Sequence, residues 1–526
     1  MMSINRTMRI VRDPIEDEHS REKIDKWIFY IIVTTIMLVP LLIGGKVTEI
    51  ISPLIDNNVL LESGRKVDLF TYLKFITLFI LTFLALVLFL YKLYFLDYRL
   101  PQRKILWFFV IFLIAITIST LFSPTISIAL FGQYNRTDGA ISYICYTLLM
   151  FISMHINYPK KIVEYVIYAF YPLVIINFVI TTMNFFDHDI LQYKLVQNAL
   201  TLSFPDGITL NEGSELVGTL NHWNYMSGMF SVITVMLLAW AIVDTKTIRK
   251  VINFIFALLS ITTMLIAMSA SGFVTFICMV PILIWLTFKS LNKKISVITL
   301  TVFLVLTGSI IHLLSIKDPE AWDESIGFFV SVNPYSEEQS TGTSYESNFK
   351  APLLFGNKVS AAEEKFSLPV LPENNWGAGT GRIYIWVETL KLLQDRPLFG
   401  YGLDTLMYNF PHYNIEAQGN LNELTIVDKP HNFYMGVLYG TGVMGFIGFM
   451  GIIINIAWKS LKVILRYNSS QDSFLIVLCI AWTAFLIQAL FNDSLPGTTS
   501  PLFIVAGIIG ALFYKVEVQN TESNTN

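Results

Sequence analysis

The chain has 526 residues, 54% hydrophobic and 14% charged, and its mean hydropathy is +0.58. Soluble domains carry about 25% charged residues, so this composition excludes a soluble globular enzyme and points to lipid as the main solvent. The net charge of −3 leaves no basic surplus and excludes nucleic acid as a partner.

A bilayer core takes roughly 20 apolar residues per helix. Runs of that kind lie near 27–45, 69–95, 105–122, 139–156, 162–183, 223–243, 250–268, 270–289, 295–314, 433–457, 473–492 and 500–515. They predict an all-α polytopic membrane protein of about twelve transmembrane helices. The first run follows a stretch of mixed charge and closes without a small-x-small site, so it reads as a retained helix rather than a cleaved signal. Cys145, Cys278 and Cys479 all fall inside these runs and read as small buried hydrophobes. The stretch Ser269-Ala270-Ser271-Gly272 is the expected turn between the seventh and eighth helices.

Orientation follows from the short loops. With the N-terminus inside, the short inner loops hold fourteen Lys and Arg, between Arg99 and Arg466, against five in the short outer loops. The positive-inside rule then places both termini in the cytoplasm. The expected organisation is a cytoplasmic tail 1–26, helices one to nine over 27–314, an extracytoplasmic loop 315–432, three helices over 433–516 and a cytoplasmic tail 517–526. Long connections without structure of their own are usually functional, so the loop 315–432 is the expected seat of chemistry. Within it, Ile383, Trp386, Val387, Leu390 and Leu393 recur at helical spacing. They predict an amphipathic helix from Arg382, lying on the membrane or packed on the bundle and closed by Asp395-Arg396-Pro397. Asn432 is the expected cap of the next transmembrane helix, with His431 just before it.

Several short motifs share this frame. Gly381-Arg382-x-x-x-Trp386, Pro397-x-x-Gly400-x-Gly402, His431-Asn432 and Gly442-x-x-Gly445 follow one another in and after the loop. Gly132-x-x-x-Arg136-x-x-Gly139, Gly218-Thr219-Leu220-Asn221-x-x-Asn224 and Gln488-x-x-x-Asn492 lie elsewhere in the chain. Their order and setting resemble the bacterial O-antigen ligase/polymerase family, and the expected architecture resembles the membrane C-type glycosyltransferases. The resemblance implies metal-independent, inverting transfer of a glycan from undecaprenyl diphosphate on the outer face of the bacterial cytoplasmic (inner) membrane. The acceptor is another glycan, a lipid-linked core or a protein, and no cofactor is implied. Where family members carry Ser-Arg-Gly after the seventh helix, this chain reads Ala270-Ser271-Gly272 and lacks the arginine.

Diphosphate is a good leaving group, so the chemistry calls for positive charge as the glycosidic bond breaks rather than for a strong acid. Arg382 and Arg136 are the outer-face candidates for gripping it, and Arg382 is also the candidate catalytic arginine. His431 is the candidate base for the acceptor hydroxyl, and a helix N-terminus is expected to keep its ring neutral. Asp493 is expected to orient the histidine or an arginine, or else to be a solvated loop carboxylate. Asn432, Asn221 and Asn224 are expected to support the site. Arg396 reads as a helix C-cap, and the glycines of helix ten as close-packing positions. Asp187-His188-Asp189 has the spacing of a carboxylate metal site, but short acidic loops are common and no metal is assigned.

Two readings from other classes remain. A flippase or transporter for lipid-linked sugar would show internal repeats and ionisable residues at mid-membrane; here Lys74 is the main charge within a span. An O-acyltransferase also pairs a histidine with many spans. Neither accounts for an outer loop that carries both Arg382 and His431. Ligase, polymerase and protein O-oligosaccharyltransferase of the same family share donor and site and are not separated by the sequence.

Overall fold

Each of the twelve apolar runs folds as helix, but not to equal length. The computed structural model describes residues 14–52, 63–101, 103–159, 163–202, 204, 218–220, 222–330, 332–336, 381–421, 425–468 and 473–525. In chain order the elements are α1 (Pro14–Leu41), the hairpin β1 (Lys46–Ile50) and β2 (Gly64–Asp68), α2 (Tyr72–Phe95), α3 (Ile105–Leu121), α4 (Ile126–Phe131), α5 (Ala140–Ser153), α6 (Tyr165–Tyr168), α7 (Tyr171–Phe185), α8 (Lys194–Leu200), α9 (Trp223–Val243), α10 (Thr247–Ile266), α11 (Ala270–Lys289), α12 (Lys293–Lys317), α13 (Glu320–Asp323), α14 (Arg382–Asp395), α15 (Leu406–Asn409), α16 (Ile415–Asn420), α17 (Phe433–Arg466), α18 (Ser473–Gln488) and α19 (Pro496–Thr525). Among the described residues, nine helices are long and apolar enough to cross a membrane, counting α6 and α7 as one. The protein is therefore a multi-pass, all-α membrane protein. The other three apolar helices, α3, α5 and α18, have 17, 14 and 16 residues. At 1.5 Å per residue these fall short of a core about 30 Å thick. They end or begin at Leu121, Ala140 and Gln488, beside the loops that form the candidate site.

Helix α9 is the axis of the bundle. It is buried along its length and packs against α10, α11 and α18, while α17 packs on α3, α19 on α5 and α1 on α2. Small residues set the closest approaches. A Cβ on Gly228 of α9 would meet the Gln488 and Asn492 side chains, and one on Gly448 of α17 would meet the backbone of α3 at Phe112. Lys74, the one notable charge expected within a span, is spent on architecture. Its ammonium donates at 2.7 Å to the carbonyls of Leu42, Phe70 and Thr219, tying three chain segments together.

The Pro397-x-x-Gly400-x-Gly402 and Gly442 motifs meet in space. Gly442 interrupts α17 with φ 63 and ψ −172, a region essentially restricted to glycine. A Cβ there would also lie 2.4 Å from the Leu398 carbonyl carbon. The loop after α14 fills the break. Val443 and Met444 donate their amides to the carbonyls of Pro397 and Leu398, and Tyr401 and Gly402 donate theirs to Tyr439 and Gly440. Backbone freed by the break is thus paired again within the protein, as a low-dielectric setting requires. Tyr401 stacks on Tyr439 at 5.3 Å.

Three expectations are corrected here. The first helix begins at Pro14, earlier than its apolar run, and ends at Leu41, where the chain turns into β1. Ala270, Ser271 and Gly272 form the first turn of α11, and the tight turn lies at Met268, with φ 41. In α14 the apolar stripe is only partly the buried face: Ile383 and Leu390 are exposed, while Leu393 is buried together with Tyr384, Ile385, Glu388 and Thr389.

Candidate functional site

The loop between α4 and α5 closes on itself. Gly132 has φ +86, and a Cβ on it would lie 2.3 Å from the Asp138 amide, so only glycine fits the crossing. This closure drives Arg136 into the protein. Its Nε donates to Asp404 Oδ1 at 2.9 Å and its Nη1 to Asp428 Oδ2 at 2.5 Å, while Nη2 is buried without a hydrogen bond. Asp404 is held in turn by the Gln133 amide at 2.6 Å. Burial opposes the charge on Arg136, but the two carboxylates outweigh it and raise its pKa. Arg136, a candidate for gripping the diphosphate, is paired here with Asp404 and Asp428. Its charge is already matched twice.

His431 sits one residue before the cap of α17. Asn432 caps the helix as expected, accepting from the Met435 amide at 3.1 Å. His431 itself has φ 50, a left-handed conformation uncommon for a side chain of this size. Thr137, Met268 and Asp404, at the same end of the bundle, share that property. The histidine Nδ1 donates to Asp493 Oδ2 at 3.1 Å, and Asp493 Oδ1 accepts the Asn432 amide at 3.1 Å. Among the described residues Nε2 takes no hydrogen bond, and the side chain is 38% exposed. Burial would lower the histidine pKa, but the hydrogen bond and charge of Asp493, with Asp428, raise it, while Arg382 acts against them. The shift runs opposite to the lowering expected from the helix N-terminus, because the buried carboxylate dominates. Asp493 is depressed, since its contact with His431 and the charges of Lys429 and Arg136 overcome burial.

A second buried ion pair lies behind the histidine. Lys429 Nζ donates to Asp138 Oδ2 at 2.9 Å and to the Ser494 carbonyl at 2.9 Å. Asp138 also accepts from Ser494 Oγ at 2.5 Å and from Tyr146 OH at 2.9 Å, and Tyr143 OH shares Ser494 Oγ at 2.5 Å. Burial pushes the Asp138 carboxyl up, with Lys429 pulling the other way. These residues were missed in the sequence. Asp138 and Asp404 each lie two residues from a residue of a recognised motif, and Lys429 two before His431, but adjacency alone says nothing about pairing.

Arg382 opens α14. Trp386, one turn on, donates its indole N–H to the Pro430 carbonyl at 2.7 Å, which brings the helix start beside His431. Arg382 is half-buried; burial lowers its pKa, and Asp493 partly restores it. Its Nε is buried without a hydrogen bond, and among the described residues it has no ion-pair partner. Among the described residues, it alone of the three cations Arg136, Lys429 and Arg382 makes no ion pair. Arg396 is the C-cap of α14, as expected, its amide donating to the Leu393 carbonyl at 3.1 Å; its side chain also donates to the Phe122 carbonyl, at the end of α3, at 2.7 Å.

Asn224 sits in the first turn of α9. Its side-chain oxygen accepts from Ser269 Oγ at 2.5 Å and its carbonyl from Asn492 Nδ2 at 2.8 Å. It therefore braces the helices around the site rather than facing His431 directly. Asn221 lies outside the described residues. Asp187 pairs with Lys317 at 2.7 Å, and Asp189 caps a short 3-10 turn through the Leu191 amide, so this acidic pair is engaged elsewhere.

A cavity of about 20 Å³, lined by Asp138, Asp404, Asp428, Lys429 and Asp493 among others, lies between the two ion pairs. It has room for a water and no more. A groove of about 820 Å³ abuts the same loop, between the hairpin and α4, with Tyr72, Gln133, Tyr134 and Tyr408 on its walls.

Fold and site together define a polytopic membrane protein with a histidine–carboxylate pair at one end of its helix bundle, beside an arginine that makes no ion pair among the described residues. Residues 255–450 match the O-antigen ligase family model Wzy_C, a span that contains Arg382, Asp404, Asp428, Lys429 and His431. That match supports an O-antigen ligase/polymerase family assignment and, with it, a part in surface polysaccharide biosynthesis. No curated protein matches the chain.

Proposed function

We propose that this protein transfers a glycan from undecaprenyl diphosphate to an acceptor hydroxyl on the outer face of the bacterial inner membrane. One observation carries the reading: His431 is held at Nδ1 by buried Asp493, with no hydrogen bond on Nε2 among the described residues, beside Arg382, which makes no ion pair among them. In this scheme neutral His431 takes the acceptor proton on Nε2 as the oxygen attacks the anomeric carbon. The bond from that carbon to the diphosphate oxygen breaks with inversion, and its electron pair leaves on the lipid diphosphate. Asp493 stabilises the imidazolium that forms, as a carboxylate behind a catalytic histidine does. Arg382 meets the diphosphate as charge develops on it. Arg136 positions Asp404 and Asp428 and does not grip the donor in the state described. No step requires a metal ion or cofactor, so transfer should survive chelation of divalent cations.

Ligase and polymerase both fit this chemistry, as does transfer to a protein. A flippase is the alternative from another class. An assay with purified protein, a lipid-diphosphate glycan and an acceptor separates them. Transfer with release of undecaprenyl diphosphate supports the enzyme, whereas movement of intact lipid across the bilayer supports the flippase. In that assay Arg382→Lys should lose donor affinity as well as rate, because an ammonium cannot reproduce a planar bidentate contact. Orientation is tested separately. Reporters fused at 245, 292 and 465 should read cytoplasm and one at 345 the outer face; an outer reading at 292 would place the loop on the wrong side.

A further inference from the structure

We infer that Lys429 and Asp138 form a positioning pair that holds the His431–Asp493 couple in register. The inference rests on the reading of His431 as the base. His431 and Asp493 come from two chain segments far apart in sequence, and each segment enters the site as irregular backbone rather than as helix. Lys429 stands two residues before the histidine and Ser494 one residue after the aspartate. Lys429 Nζ bonds both the Asp138 carboxylate and the Ser494 carbonyl, and Ser494 Oγ returns to the same carboxylate oxygen at 2.5 Å. The two segments are therefore fastened through one buried carboxylate, immediately behind the histidine–aspartate contact.

The carboxylate is itself anchored. Tyr146 OH, from α5, donates to its other oxygen at 2.9 Å, and Asp138 lies on the loop closed by Gly132, two residues from Arg136. Lys429 and Asp138 are almost fully buried, with side-chain exposures of 8% and 2%. They are not placed to meet substrate. The left-handed backbone at His431 costs energy that surrounding structure must hold in place, and this pair restrains the segment that carries it. Without it the imidazole loses its alignment while Arg382, on α14 and docked through Trp386, keeps its place. The pair thus acts on turnover rather than on donor binding.

Neutralising both partners tests this. The double variant Asp138→Asn/Lys429→Met removes one charge of each sign, so net charge near the histidine is unchanged. The charged groups around that ring are Asp493, Asp428 and Arg382, with His222 from the start of α9, and the double variant alters none of them. Turnover should fall about 10- to 100-fold, as small misplacements of catalytic groups do, with the donor KM within about two-fold of wild type. The acid limb of the pH–rate profile should move to lower pH, because a loosened Asp493 contact no longer supports the imidazolium. The two single variants should lose as much as the double, the signature of a pair that acts as one unit. Should these variants not reach the membrane, Ser494→Ala keeps both charges and removes the second fastening; it should show the same limb displacement with a smaller loss of rate. Wild-type turnover and an unmoved limb in the folded double variant, or in Ser494→Ala, would overturn the inference while leaving His431 as base if His431→Ala is inactive. An active His431→Ala would remove the base reading and, with it, anything for the pair to position.

Discussion

The two ends of the bundle each bury a lysine–aspartate pair, and they differ in what the pair is attached to. At the end away from the site, Lys92 of α2 meets Asp25 of α1 at 2.6 Å, donates to the His155 carbonyl at 3.1 Å, and Asp25 accepts the Asn157 amide at 3.0 Å. Both partners stand on regular helix. At the site end, Lys429 and Asp138 both stand on loops whose neighbours, Thr137 and His431, adopt left-handed backbone. A buried pair between straight helices fixes helix against helix. The same pair between irregular segments fixes the aim of side chains, and here the side chains are His431 and Asp493. Buried ion pairs are weak evidence of net stability, so the site-end pair is better explained by alignment.

The first way to break this contrast is Lys92→Met. It strands a buried carboxylate and should cost about 3–5 kcal/mol of stability, seen as a lower melting temperature, yet transfer per folded molecule should stay at the wild-type rate. A matching loss of turnover would erase the distinction between the ends. Gly442→Ala comes next. A side chain at φ 63, pressed against Leu398, should cost about 2–5 kcal/mol and undock the loop that carries Asp404. Protein level in the membrane and melting temperature check it.

Asp493→Asn sharpens the comparison through pH. His431 titrates above the ordinary histidine value because Asp493 outweighs burial. If the neutral ring is the base, activity is present above that raised pKa and is lost as pH falls through it. Removing the carboxylate lets burial prevail, so the acid limb should move to lower pH, with turnover reduced about 10- to 100-fold. An unmoved limb would assign it to another group. The smallest effect is expected for Trp386→Phe, which deletes one hydrogen bond to Pro430. About 0.5–1.5 kcal/mol should appear as a few-fold loss in donor affinity, with little change in the pH profile, since Arg382 shifts and His431 does not.

The helices were legible because twelve apolar runs carry the pattern of burial in lipid, and Asn432 could be read as a cap because capping is local. His431, Arg382 and Asp493 were legible through motifs and adjacency. The Arg136 pairing was not, because Asp404 and Asp428 lie more than 260 residues along the chain and no local signal couples them. The break at Gly442 was hidden for a related reason. A glycine within a run of glycines reads as packing, and the loop that fills the gap approaches only in the folded chain. The buried face of α14 departed from its apolar stripe because its neighbours are loop residues as well as the bundle. The upward shift of His431 was not legible because a helix N-terminus is visible in sequence, whereas a carboxylate 62 residues away at 3.1 Å is not.

The most direct test is release of undecaprenyl diphosphate by His431→Ala, measured against wild type at equal amounts in the membrane with a lipid-diphosphate glycan and an acceptor. Turnover should fall about 10²–10⁴-fold, donor affinity should stay near normal, and the residual activity should lack the acid limb. Full transfer by His431→Ala would contradict the account, leaving substrate-assisted attack or Asp493 as the source of the base.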